Sequence, residues 1–172
     1  MNFLDPKILA LGIISTAIMF AVIAFFTRAT LRRIVGALVG ALPIIPLVMF
    51  YDSLAARLGW WHYPSVTTGR APIAWYIAAA LFYGAALGLV GWRVIRRWDT
   101  RGLVVFLVVL ALFGVTRDYL YSLTTSLIVF GPGPLPLIAD LFAYASAGAL
   151  VQLLMVWIAG SPRSSDRLAR KP

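Results

Sequence analysis

Apolar positions in this chain fall in long, nearly unbroken runs. They show neither the alternation of a half-buried strand nor the narrow stripe of a soluble amphipathic helix. The runs cover about residues 8–26, 34–51, 72–92, 102–126 and 137–159. Each is close to the ~20 residues that carry a helix across the hydrocarbon core of a bilayer. The pattern predicts an all-α polytopic membrane protein, with five transmembrane helices in residues 1–160 and a basic cytoplasmic tail in 161–172.

Local features refine these elements. The first run could pass for a signal peptide, but Lys7 is offset by Asp5 and no small-residue cleavage site follows, so a retained helix is expected. The second run holds Gly36 and Gly40, a GxxxG pair that lets helices approach closely, and Pro43 and Pro46 should kink it. Gly84 and Gly88 form a second such pair in the third run. The fourth run could continue to Phe130, and its polar, aromatic part from Thr116 to Ser126 suits an interfacial extension. The Gly131-Pro132-Gly133-Pro134 stretch is a tight turn, and Ala139, Ala143 and Ala147 form a small-residue stripe on the fifth run. There is no internal repeat and no β-barrel alternation.

Basic residues set the expected orientation. Arg28, Arg32, Arg33, Arg93, Arg96, Arg97, Arg101, Arg163, Arg167, Arg170 and Lys171 fall in segments that five crossings place on one side. Only Lys7, Arg57 and Arg70 fall on the other. The positive-inside rule then puts the N-terminus outside and the C-terminus in the cytoplasm. The tryptophans fit two interfacial belts, with Trp60, Trp61 and Trp75 at the outer boundary and Trp92, Trp98 and Trp157 at the inner one.

Composition narrows the class. The chain is 62% hydrophobic over 172 residues, against roughly 45–50% apolar in a soluble domain, which leaves one bundle and no second folded domain. It has no cysteine, so disulfides and thiolate chemistry are excluded. The net charge of +9 does not indicate nucleic acid, because the basic residues flank apolar runs as topology signals and anionic-lipid contacts do.

Polar groups at membrane depth are costly and mark candidate sites. Asp52 is expected at the outer end of the second helix, Arg117 and Asp118 high on the fourth, and Asp140 about one turn into the fifth. His62 and Arg70 belong to the outer loop between the second and third helices. The inner half of the bundle holds no ionisable group on this reading. Asp140, Tyr144 and Gly148 share one helix face, as do Gly114, Asp118, Tyr121 and Ser122. The candidate catalytic residues are Asp118, His62 and Asp52, with Tyr121, Tyr144, Arg70 and Trp61 as ligand-binding residues. Arg117 points about 100° away from Asp118 on the helix, so a structural ion pair between Arg117 and Asp140 is expected. A divalent cation on Asp52, Asp118 and Asp140 is chemically open, but no DDxxD-type cluster supports it, and no metal site is assigned.

Asp52, then Gly59-Trp60-Trp61-His62-Tyr63-Pro64, then Gly69-Arg70-Ala71-Pro72-Ile73, resembles the small membrane proteins of carotenoid metabolism. These are the heterodimeric-type lycopene cyclase domains and, more distantly, the carotenoid hydratases. The resemblance covers about 25 residues of 172. The cyclase pattern has paired glutamates where this chain has Ala74 and Trp75, and protonating a polyene needs an acid. The resemblance thus implies an outline, a bundle with an interfacial site for a hydrophobic molecule, and no cyclase activity.

The leading expectation is a protein that binds or modifies a hydrophobic ligand (isoprenoid, carotenoid or lipid) in the outer leaflet half. The alternative is a non-catalytic subunit of a larger membrane complex, and the third reading is an oligomeric transporter or channel. Expected partners are membrane lipids and either further copies of the chain or other membrane subunits, without nucleic acid. No cofactor is expected beyond a bound lipid or carotenoid. The expected location is the bacterial inner membrane.

Overall fold

The computed structural model describes residues 6–64, 71–125 and 127–162. Four helical stretches are long and apolar enough to cross a membrane, namely Pro6–Phe26, Leu31–Leu58, Ile73–Thr124 and Leu135–Ala159. They resolve into helices α1 (Pro6–Phe26), α2 (Leu31–Ala41), α3 (Ile44–Leu58), α4 (Ile73–Ala79), α5 (Leu87–Thr124) and α6 (Leu135–Ala159), with a π-helical turn at Ala80–Ala86 between α4 and α5. Two short strands, β1 (Trp61–His62) and β2 (Val129–Phe130), complete the described chain.

The second stretch breaks at Pro43, between α2 and α3. Proline has no N–H and its ring clashes with the carbonyl four residues back. Pro46 does not add a second break, because it sits in the first turn of α3, where N–H groups have no intrahelical partner. α3 then runs to Leu58 and stops at Gly59, whose left-handed φ of 68° caps the helix. Asp52 therefore lies within α3, about two turns before its end, and not at the helix terminus that the apolar run suggested.

The third stretch is 52 residues long but is not one rod. Asp99 has φ 56° and ψ −134°, which breaks α5 into limbs 87–98 and 100–124. The limbs fold back on one another. A side chain at Gly91 would come within 2.8 Å of the Phe106 ring, and one at Gly102 within 2.5 Å of the Val94 carbonyl oxygen. Higher up, the Phe113 ring lies 6.3 Å from the rings of Phe82 and Tyr83. The arginine-rich segment between the third and fourth apolar runs is helical up to Trp98, in keeping with the high helix propensity of arginine and the absence of a breaker before Gly102.

Both GxxxG pairs are used inside the chain. Gly36 and Gly40 bring α2 against α6, where added side chains would stand 3.5 Å from Ala159 Cβ and 3.3 Å from the Val151 carbonyl oxygen. Side chains added at Gly84 and Gly88 would stand 2.7 Å from Ala41 Cβ and 2.8 Å from Val151 Cγ1. The core between them is built from small and medium residues, including Ala37, Ala41, Ile44, Leu89, Val151 and Met155. α1 packs on α4 and the π turn but buries no residue fully. At the far end, Trp61 pairs with Phe130 and His62 with Val129 in an antiparallel ribbon. The Gly131 N–H donates to the Trp60 carbonyl at 2.7 Å, so the segment after α3 is pinned to the segment before α6.

Candidate functional site

A cavity of about 410 Å³ opens between α1, α3, α4, the π turn, α5 and α6. Its walls are mostly apolar and aromatic, and all three membrane-depth aspartates, Asp52, Asp118 and Asp140, line it. Each is buried, so the hydrogen bonding of each decides what it can do.

Asp52 is fully answered. Its Oδ1 accepts from Trp61 Nε1 at 3.0 Å and from the Tyr63 hydroxyl at 3.2 Å, and its Oδ2 accepts from the Tyr76 hydroxyl at 2.8 Å. Tyr76 in turn accepts from the Ala71 N–H at 3.1 Å. Burial holds the Tyr63 phenol well above its ordinary pKa, so it donates as the neutral hydroxyl at physiological pH. One carboxylate thus ties α3 to the post-Gly59 segment and to the start of α4.

Asp118 is answered too. Arg117 Nε donates to its Oδ1 at 2.8 Å and Arg117 Nη2 reaches the same oxygen. The Tyr144 hydroxyl donates to Oδ2 at 2.7 Å. The expected Arg117–Asp140 pair is therefore replaced by Arg117–Asp118. A flexible arginine stem spans the angular offset between neighbouring helix positions. Its guanidinium is held over the Tyr83 ring at 4.9 Å and near the Tyr121 ring at 5.6 Å, contacts that favour a cation lying back along α5.

Asp140 differs from both. Its Oδ2 is buried and has no hydrogen-bond partner among the described residues. It sits in the first two turns of α6, facing the same cavity as the two satisfied carboxylates. The three aspartates do not close into a cation cage, since no group of three potential ligands able to hold a metal ion occurs among the described residues.

The other expected site residues divide. Trp61, Tyr121 and Tyr144 line the cavity with Asp52 and Asp118. His62 does not; it is exposed on β1, because strand alternation turns it away from its buried neighbour Trp61. Arg70 lies outside the described residues. Tyr63, Tyr76 and Tyr83 were not singled out as site residues, yet all line the cavity. Tyr76 and Tyr83 stand two helical turns apart, which puts them on one face, a signal present in the sequence. Gly114 and Gly148 do not open space for a ligand, because the Tyr144 ring fills the first gap and Leu107 and Leu110 the second. Ala74 and Trp75, at the positions of the cyclase glutamates, line the cavity without supplying an acid.

No family model, curated protein or solved structure matches this chain.

Proposed function

We infer that this chain is a five-crossing membrane protein that binds an apolar ligand with one polar end, of the isoprenoid, carotenoid or lipid class, in the cavity around Asp140. The fold-back at Asp99 divides the 52-residue stretch into two limbs of crossing length. With the basic segments inside, the cavity lies in the outer leaflet half.

The observation that carries the reading is the unmatched Asp140 Oδ2 in a mostly apolar cavity of about 410 Å³. Ligand pockets typically span ~300–1,000 Å³ and combine apolar walls with a few placed polar groups. Asp52 and Asp118 already have their donors, so they act as framework. Asp140 is left to meet a hydroxyl or amine on the ligand, or to hold the proton it shares with it. The tyrosine and tryptophan walls suit a flat or extended hydrocarbon. The complex-subunit reading draws on small size, little extramembrane mass and small-residue helix faces; of those faces, the glycines Gly36, Gly40, Gly84 and Gly88 are occupied within the chain itself.

The test is purification in mild detergent, followed by solvent extraction, lipid mass spectrometry and an absorbance spectrum. A stoichiometric apolar ligand is expected. Ala143→Phe, which places a ring in the cavity, should purify folded and without that ligand. Empty wild-type protein, or undiminished ligand in Ala143→Phe, would remove the reading.

A further inference from the structure

The cavity between α1, α3, α4, the π turn, α5 and α6 carries a charge imbalance that bears on the polar end of its ligand. Carboxyl groups of Asp52, Asp118 and Asp140 line it, against Arg117 as the one cation among the described lining residues. That cation is already engaged. Arg117 Nε donates to Asp118 Oδ1 at 2.8 Å, and Arg117 Nη2 donates to the Tyr144 hydroxyl at 2.9 Å. Asp52 is held by neutral donors, Trp61 Nε1 and the hydroxyls of Tyr63 and Tyr76. Asp140 is only 6% exposed, and its Oδ2 has no hydrogen-bond partner among the described residues.

A buried carboxylate is costly unless a donor and a compensating charge meet it. An alcohol brings a donor and no charge. A quaternary ammonium brings a charge and no N–H. A protonated amine brings both, and charge-assisted hydrogen bonds are roughly twice as strong as neutral ones. An anionic head would add to the carboxylate excess. The walls suit a cation too, because aromatic rings attract one through their quadrupole, and Trp61, Trp75, Tyr76, Tyr83 and Tyr121 line the cavity. Two of these rings already hold a cation within the chain: the Arg117 guanidinium lies 4.9 Å from the Tyr83 ring centroid and 5.6 Å from that of Tyr121.

We propose that Asp140 selects a ligand whose polar end is a protonated amine bearing an N–H, carried on an isoprenoid or lipid chain. This rests on the reading of the cavity as a ligand site and narrows it from any polar end to a cationic one. Asp140 Oδ2 accepts the ammonium N–H, its carboxylate offsets the charge, and the apolar walls take the chain.

The experiment uses the full-length protein in a nonionic detergent and follows its tryptophan fluorescence, since Trp61 and Trp75 line the cavity. The probes are farnesylamine, farnesol and farnesoic acid, which share one isoprenoid chain and differ at the head. Wild type should bind farnesylamine about tenfold or more tightly than farnesol, the difference between a hydrogen bond to a charged partner and one to a neutral partner. Farnesoic acid should bind least. The net charge of +9 favours the opposite order away from the cavity, since it draws in the acid and repels the amine. In Asp140→Asn the farnesylamine affinity should fall to that of farnesol. Farnesol itself should bind as before, because an amide oxygen still accepts from a hydroxyl, and its binding shows that the variant is folded. Asp99→Asn makes the same change of charge at an exposed position outside the cavity and should keep the wild-type preference. Farnesol binding as tightly as farnesylamine in wild type overturns the cationic head and leaves the apolar-ligand reading intact. So does an undiminished amine preference in Asp140→Asn, and so does an equal loss in Asp99→Asn. No binding of any of the three probes overturns both.

Discussion

Tyr144 donates its hydroxyl to Asp118 Oδ2 across 2.7 Å, and its ring occupies the space where a side chain at Gly114 would stand, at 2.4 Å. The glycine on α5 and the tyrosine on α6 are therefore one device. The missing Cβ lets the ring reach in far enough for its hydroxyl to meet the acid one turn away. Gly114→Ala should displace the ring, remove the hydrogen bond and cost about 1–3 kcal/mol through overpacking. Gly12→Ala is the matched control, because nothing lies within 4 Å of the added methyl group. It should hold or slightly raise stability, since alanine in a helix gains roughly 0.5–1 kcal/mol over glycine. Thermal unfolding in detergent separates the two, and equal effects would dissolve the pairing of Gly114 with Tyr144.

Asp52 gives a graded series. Hydrogen bonds to a charged group contribute about 1.5–3 kcal/mol each, and three donors share this carboxylate. Tyr76→Phe also leaves the Ala71 N–H without its acceptor, so it should cost more than Tyr63→Phe, whose contact is the longest at 3.2 Å. Unfolding midpoints of the two variants check the order. A reversed order would place the structural weight on the loop and not on α4.

The sequence announced the helices because membrane-length apolar runs need no periodicity to be read. It announced the break at Pro43 for the same elementary reason, a missing N–H. Asp52, Asp118 and Asp140 were legible as a group because so few charges interrupt those runs. Their division of labour was not. Whether Arg117 turns to Asp118 or Asp140 depends on aromatic rings that other elements bring up, Tyr83 from the π turn and Tyr144 from α6. A π turn adds no signal to the hydrophobic pattern. His62 looked like site chemistry because it is the one histidine of the sequence and falls in the outer loop near the aspartates, and only the two-residue ribbon with β2 shows which face it takes.

The crossing number and orientation can be read from two substitutions, because the chain has no cysteine of its own. His62 and Thr100 are both exposed, and Asp99 separates the two limbs just before Thr100. On the five-crossing reading His62→Cys reacts with an impermeant maleimide added outside intact cells, and Thr100→Cys reacts only after the membrane is opened. The reverse labelling would invert the protein. Labelling of both from outside would mean that the hairpin does not cross.

The central contrast lies among Arg117, Asp118 and Asp140. Arg117 is paired with Asp118, whose side chain is 12% exposed against 35% for the arginine. Breaking a fully buried pair costs about 3–5 kcal/mol because the remaining charge is stranded. The exposed third of this guanidinium lowers the expected cost of Asp118→Asn to about 2–3 kcal/mol by the same reasoning. Adding Arg117→Gln should return much of that loss, and the double-mutant cycle should give a coupling energy well above ~0.5 kcal/mol. Asp140→Asn should behave otherwise. Its Oδ2 has no partner to lose, and an isosteric amide removes charge from a buried site, so stability should stay level or rise. The bound ligand, by contrast, should be lost or its occupancy cut severalfold, which extraction and mass spectrometry measure directly. Combining Asp140→Asn with Arg117→Gln should show no coupling in stability. If Asp140→Asn proves the more destabilising change and is rescued by Arg117→Gln, Asp140 is the arginine's true partner. Asp118 would then be the carboxylate left open to the cavity.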